Sequence, residues 1–268
     1  MEMRKFNFKI SRHGRLHRVN PFNLLLHSHF RRKLAVSGNA RSLFTSPILD
    51  QGATEECSAY QACAERAAIT GKVYDPQAYW QAECDYLHDQ NPDGVDLKTA
   101  LSVSVDPGYT EMGNTTPSEQ ATAWIYIYPN NGMDLYDSIQ EAITLYQRPV
   151  AIGVEWYSDW EEGQNGIVPD SRDTVLGGHD TMLCGKVVNT IVGNLPFPVD
   201  TDRMANQNSW GVNAPSSDSG FYYFSRTQIN NWFTGYGCAV RIDSTDMMTK
   251  ILGKLSALYV KVIDLIIR

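Results

Sequence analysis

The stretch Asp50-Gln51-Gly52-Ala53-Thr54-Glu55-Glu56-Cys57-Ser58-Ala59-Tyr60 reads as a turn that delivers one cysteine to the start of a helix. Exposed N–H groups and the macrodipole at a helix N-terminus favour a thiolate, the form of cysteine that acts as a nucleophile. A cysteine at that address also serves as a small buried hydrophobe, so the thiol needs partners before it counts as chemistry. The first partner is a base, and imidazole suits a thiol because it titrates near neutral pH. Four of the six histidines (His13, His17, His27, His29) fall in the first 40 residues, leaving His88 and His179. His88 ends a helical pattern among polar residues and reads as a solvated C-terminal histidine. His179 follows Gly177-Gly178 and precedes an apolar run to Cys184, at the mouth of an expected buried strand.

A base needs a group that fixes its tautomer, and Asn206-Gln207-Asn208-Ser209-Trp210-Gly211 offers an amide followed by an indole able to screen the bond. Read alone, it is more simply an ordinary polar turn with one anchoring tryptophan. Gln51, with the Cys57 backbone N–H, supplies candidate donors to an oxyanion. Each residue alone is a weak signal; the four together form a set.

The elements that must position this set follow from periodicity. Helix formers run from Ala59 to Thr70, where Gly71 stops them; Asp75-Pro76 opens a second helical segment, Gln77 to His88. Asn91-Pro92-Asp93-Gly94 is a turn, Asp96 to Val103 a short helix, and residues 135–147 an amphipathic one. The pattern then changes: Pro149 to Val154, Thr181 to Val188, Gly220 to Phe224 and Cys238 to Ile242 read as strands. Helices first and strands second predict an α+β fold, a helical lobe against a β-rich lobe with the site between them.

Composition bounds the rest. The 268 residues suffice for one large or two small domains, and the hydrophobic share of 43% with 20% charged residues is that of a soluble globular protein. The net charge of −7 is split: residues 1–49 hold 10 of the 23 basic residues and 1 of the 30 acidic ones, about +9, which leaves about −16 on the remainder. Residues 1–40 are expected to form a basic extended arm. From Met247 onward the residues Met248, Ile251, Leu252, Leu255, Leu258, Val262, Leu265 and Ile266 make one apolar stripe, so 244–268 are expected to form an amphipathic helix. Packing or self-association is the first reading of that helix, membrane-surface binding a secondary one. The five cysteines (Cys57, Cys63, Cys84, Cys184, Cys238) lack metal-site spacing and read as free thiols. Neither a secretory signal nor a membrane span is visible, so the expected setting is cytoplasmic.

The set resembles the papain-like cysteine peptidases. Gln51 stands six residues before Cys57, as the family's oxyanion glutamine stands before its nucleophile; Pro47-Ile48-Leu49-Asp50-Gln51-Gly52 matches its Pro-x-x-x-Gln-Gly lead-in. Gly178-His179 to Gly185 matches its histidine strand, and Asn208-Ser209-Trp210-Gly211 followed by Gly220-Phe221 matches its asparagine motif. The resemblance covers roughly residues 40–243, giving a domain expected at 41–243. It implies a papain-like two-lobe fold and a cysteine endopeptidase acting on a protein or peptide substrate by acyl transfer, without cofactor or metal. It implies Cys57 as nucleophile, His179 as base, Asn208 as orienter and Gln51 as oxyanion donor, with Gly94, Val95, Gly178 and Trp210 bordering the substrate.

Four departures carry consequences. Glu55-Glu56 replace the usual Gly-Ser before the nucleophile, and two carboxylates beside a thiolate oppose its ionisation. Ser58 replaces an aromatic residue, closer to a small-residue variant of microbial relatives, which suggests a microbial or phage-type member. Asp180 follows the histidine where a small residue is usual, and Thr54 stands where many members have a disulfide cysteine. The family's long helical propeptide has no counterpart in the aperiodic arm. A rival from another class is a papain-fold structural component of a virion or tail, tethered through residues 1–40 and 245–268 to a large protein assembly. A weaker third reading gives the basic arm to nucleic acid.

Overall fold

The computed structural model describes residues 47–90, 92–129, 132–162, 165–188, 202–233 and 237–243, and the backbone of 9–12 and 15–18. Strands β1 (Lys9–Arg12) and β2 (Arg15–Arg18) come first, then helices α1 (Cys57–Thr70), α2 (Pro76–Leu87) and α3 (Leu97–Val105). Strand β3 (Ala123–Tyr126), helix α4 (Leu135–Tyr146), strands β4 (Val150–Tyr157), β5 (Val175–Val188), β6 (Asp202–Gln207) and β7 (Phe221–Phe224), helix α5 (Arg226–Trp232) and strand β8 (Cys238–Ile242) follow. The strands make one antiparallel sheet in the order β2-β1-β3-β8-β4-β5-β6-β7.

Local chemistry sets the helix ends. Asp75 caps α2 by accepting the N–H groups of Gln77 and Ala78, with Pro76 at the first helical position, where a missing N–H leaves no bond unmade. Gly71 ends α1 in the left-handed conformation and returns its N–H to the Ala67 carbonyl. Among its buried positions α1 has the small side chains of Ala59, Ala62, Cys63 and Ala67, which let Tyr74, Tyr79, Val103 and Tyr109 close around it. It also buries the polar residues Ser58, Gln61, Glu65 and Arg66, each of which must find a partner inside the protein.

The β-rich side has a larger core, in which α4 and the sheet pack around Trp156, Trp160, Tyr222 and Phe224. A smaller cluster joins Leu97 and Leu101 of α3 to Trp124 of β3 and Ala239 of β8. Arg66 near the end of α1 binds Glu119 at 2.9 Å and Asp243 at 2.7 Å, and Arg148 shares Asp243 at 2.8 Å, pinning the helix to the end of β8. All five cysteines are buried and none is in a disulfide.

Several expectations need correction. The backbone of 9–12 and 15–18 is an antiparallel hairpin that adds to the β3 edge, with Ile10 opposite Ile125, so part of the arm is regular strand. Strand β5 begins at Val175, six residues earlier than the apolar run shows, and His179 therefore lies inside the strand and not at its mouth. Asn206 and Gln207 belong to β6, whose Arg-Met-Ala-Asn-Gln sequence hides its strand character because buried hydrogen-bonded polar residues break the apolar alternation. Strand β3 and helix α5, the latter opened by a Ser225–Gln228 capping box, have no strong sequence period. The expected helix at 244–268 lies outside the described residues. No helix among the described residues is long and apolar enough to cross a membrane.

Candidate active site

Cys57 is the first residue of α1, where the first N–H groups have no carbonyl one turn behind them. The earliest bond of the helix runs from the Tyr60 N–H to the Glu56 carbonyl. The preceding turn is knotted by Gln51: its Nε2 donates to the Thr54 carbonyl at 2.7 Å, and the Thr54 hydroxyl donates to the Gln51 carbonyl at 2.8 Å. Gln51 is also tied to the asparagine motif, since its N–H donates to the Ser209 carbonyl at 2.8 Å and its Oε1 accepts the Ser209 hydroxyl at 2.5 Å.

The spacing of that motif has a local cause. Gly211, at φ +72°, sends its N–H to the Leu49 carbonyl, and a Cβ there would fall 2.9 Å from Asp50 Oδ2. At Gly220, φ +86°, a Cβ would fall 2.5 Å from Ile48 Cγ2. Only glycine admits the segment that carries Gln51 this close.

His179 Nε2 lies 2.7 Å from Asn208 Oδ1. The same oxygen accepts the Ser209 backbone N–H at 2.6 Å, and a main-chain amide can only donate. The atom facing the ring is therefore oxygen, the ring nitrogen carries the proton, and Nδ1 of the neutral ring is left with its lone pair. Trp210 stacks on the imidazole at 4.5 Å between centroids and 24° between planes, while Trp156 meets it edge-on at 5.2 Å. Trp156 also touches Trp210, Tyr222 and Trp160 edge-on, so the base sits on an aromatic block.

The thiol is joined to the same strand, for the Asp180 N–H donates to Cys57 Sγ at 3.4 Å. Gln51, Cys57, His179 and Asn208 are thus linked by hydrogen bonds through Ser209 and Asp180. Burial pushes the Cys57 thiol up to about 12, with the Asp180 carboxyl adding to the rise, and pulls the His179 ring down to about 4. Both directions oppose charging either group alone. Charges made together, by passing the thiol proton to Nδ1, compensate each other.

Of the residues expected to border a substrate, Gly178 lies next to His179 in β5, and a Cβ at Gly177 or Gly178 would meet nothing within 4 Å. Val175 and Leu176 just before them are exposed. Trp210 covers the base. Gly94, also open, and the buried Val95 lead into α3, whose cap Asp96 acts electrostatically on Asp180.

Glu55 and Glu56 behave differently from the expectation. Glu55 is exposed, and Glu56 turns away to accept Gln77 Nε2 of α2 at 2.5 Å. The carboxyls that raise the thiol are Asp180 and Glu83, the latter bound to the Ser58 hydroxyl at 2.8 Å. Glu83 escaped sequence reading, although it stands four residues after the inward-facing Tyr79, on one face of α2. Trp156 escaped with the last three residues of β4.

No protein-family model matches the chain, and no curated protein sequence matches it either. Solved structures do. Digestive procathepsin L 3 of Tenebrio molitor larval midgut aligns with a TM-score of 0.60 at 16% identity, over 80% of this chain and 71% of its own. The proform of Amb a 11, a cysteine protease and ragweed pollen allergen, aligns at 0.55 and 15% identity over 76% of this chain. The match spans only 63% of the ragweed proform's length. The helical layer, the antiparallel sheet and these alignments agree: the chain has the papain-like cysteine protease fold.

Proposed function

We propose that the chain is a papain-like cysteine peptidase that cleaves internal peptide bonds, with Cys57, His179, Asn208 and Gln51 as its working set. The observation that carries this reading is the Asn208–His179 bond, whose oxygen end is dictated by the Ser209 N–H. It keeps the ring proton on Nε2 and frees Nδ1 to act as base toward the thiol held on the adjoining residue's N–H.

Each step follows from these groups. The thiol proton moves to Nδ1, and Sγ adds to the substrate carbonyl carbon, placing the former π-electron pair on oxygen. The Cys57 N–H and the second N–H of Gln51 Nε2, the first being held by Thr54, donate to that oxygen. As the C–N bond breaks, the imidazolium returns its proton to the departing amine. Nδ1 then takes a proton from water, the resulting hydroxide adds to the thioester, and the C–S bond breaks to release the acid. Asn208 Oδ1 stabilises the imidazolium without a second buried charge, and Trp210 screens that bond. The small Ser58 after the nucleophile supports a microbial or phage-type member.

The test is cleavage of a peptide library by the full chain and by Cys57→Ala. Cleavage lost in the variant, with Cys57 labelled by an electrophilic thiol probe ahead of Cys63 and Cys184, supports the reading. Equal cleavage by both proteins, or no preference of the probe for Cys57, sinks it.

A further inference from the structure

Behind the nucleophile, three buried carboxyl groups face one buried guanidinium. Glu65 of α1 and Glu83 of α2 are 0% exposed, Asp180 of β5 is 5% exposed, and Arg241 of β8 is 2% exposed. Arg241 Nη1 is committed to Glu65 Oε2, which Gln61 Nε2 also donates to at 2.9 Å. That ion pair balances one carboxylate, with Arg241 Nε and Nη2 bound to no acceptor among the described residues, and Glu83 and Asp180 remain as surplus acids. Among the described residues, Glu83 Oε2 takes one hydrogen bond, from Ser58 beside the nucleophile, and its Oε1 takes none. Among them Asp180 Oδ2 takes none either, while its own backbone N–H lies on the Cys57 sulfur. Room for the Asp180 carboxyl exists because its partner in β4 is Gly153, where a Cβ would fall 2.8 Å from Oδ1.

Two carboxylates placed there would be desolvated, short of donors and mutually repulsive. Neutral acids escape the repulsion and the larger part of the desolvation cost. We propose that Asp180 and Glu83 are positioning residues that act as a pair of neutral acids flanking Cys57: protonated they permit its thiolate, and ionised they suppress it. The enzyme thereby carries its own alkaline limit.

The surroundings are consistent from every side. Asp180 is faced by Cys57 of α1, Glu83 of α2, Asp96 at the start of α3, Tyr126 of β3 and Arg241, with His179 adjacent in β5. Glu83 is faced by Ser58, Cys57 and Cys63 of α1, by Tyr79 of its own helix, and by Asp96, Asp180 and Arg241. Burial raises each acid to about 8, against which Arg241 works only in part.

This inference rests on Cys57 as the nucleophile, yet its test needs no turnover. Alkylation of Cys57 by the uncharged reagent iodoacetamide is followed by mass spectrometry, which separates the five thiols, across a pH series spanning 8 in the full chain, Asp180→Asn and Glu83→Gln. The expected result is equal rates below the carboxyl titration and a flattening of the wild-type rate above it. There each variant reacts about tenfold faster or more, since one unit of thiol pKa is a factor of ten. Profiles that coincide throughout, or that differ by one constant factor at every pH, overturn the proposal; the latter marks simple packing. Should Asp180→Asn fail to fold, infrared spectroscopy of the wild type decides. A protonated-carboxyl C=O band that fades through about pH 8 and is weakened in Glu83→Gln supports the pair, and its absence refutes it. If Cys57→Ala still cleaves peptides, the peptidase reading alone fails.

Discussion

His179 and Asn208 are held by an ordered hydrogen bond under a stacked indole, whereas Cys57 is backed by acids with oxygens that no donor among the described residues reaches. On the β-rich side the geometry is set by groups that cannot change charge: a backbone amide, a side-chain amide and three tryptophans. Around the thiol it is set by Glu65 and Glu83 of the helices with Asp180 and Arg241 of the sheet, and burial raises the two surplus acids to about 8. The contrast teaches that one half of such a site fixes direction and the other fixes proton affinity. Direction survives a change of pH; proton affinity does not.

The contrast breaks most severely at Arg241. Arg241→Met leaves Glu65 buried without its cation, and removing one member of a buried pair costs roughly 3–5 kcal/mol. Urea unfolding should show that loss, and Glu65→Gln in the same chain should restore part of it. A variant as stable as wild type would show that the ion pair is not what holds α1 to β8.

Asn208→Ala attacks the other half. It removes a buried hydrogen bond to a ring that becomes charged during reaction, worth about 1.5–3 kcal/mol, so kcat/KM should fall roughly 10- to 150-fold. The bond to Asn208 also raises the His179 ring against the effect of burial, so the pH dependence of Cys57 alkylation should move along the pH axis as well as scale down. An unaltered kcat/KM would remove Asn208 from the working set.

Stability as a function of pH separates the two halves next. Asp180 and Glu83 have folded values raised to about 8 from 3.8 and 4.5, so their contribution is full below the unfolded values and is lost as pH rises through 8. His179 has the opposite sense: lowered from 6.5 to about 4, it contributes fully above 6.5 and is lost as pH falls through 4. Between pH 6.5 and 9, below the range where the raised cysteines and tyrosines titrate, the acids dominate. Thermal midpoints should therefore fall between pH 6.5 and 9 in the wild type, by roughly 1–2 kcal/mol per acid, and the Asp180→Asn/Glu83→Gln double variant should be flat. Parallel curves would show that the acids are already ionised.

How much of this was legible depends on the kind of signal. Cys57, His179, Asn208 and Gln51 stand in motifs whose glycines and prolines mark turns, so their order and spacing could be read directly. Helices α1, α2 and α4 announced themselves by caps and period, which are local. The Glu65–Arg241 pair joins residues 176 positions apart, and no local pattern contains it. Strand β6 hid because Asn206 and Gln207 are buried by virtue of their bonds, which hydrophobic alternation does not register. Residues adjacent in sequence misled for the same reason: Glu56 touches Cys57 along the chain but faces α2, whereas Glu83 lies 26 positions away and feels the sulfur.

That last distinction yields the smallest expected effect. Glu55 is exposed, and Glu56 lies at the helix start with its carboxylate on Gln77, where neither appears among the groups that shift the thiol. Glu55→Gln and Glu56→Gln should each change stability by less than about 0.5 kcal/mol, the usual range for surface positions. Their Cys57 alkylation profiles should overlay that of the wild type, while Glu83→Gln departs from it above pH 8. A Glu56→Gln profile that moved as far as that of Glu83→Gln would return the control of the thiol to its chain neighbours. Residues that share a buried environment with the sulfur, however distant in sequence, would then have lost their claim to it.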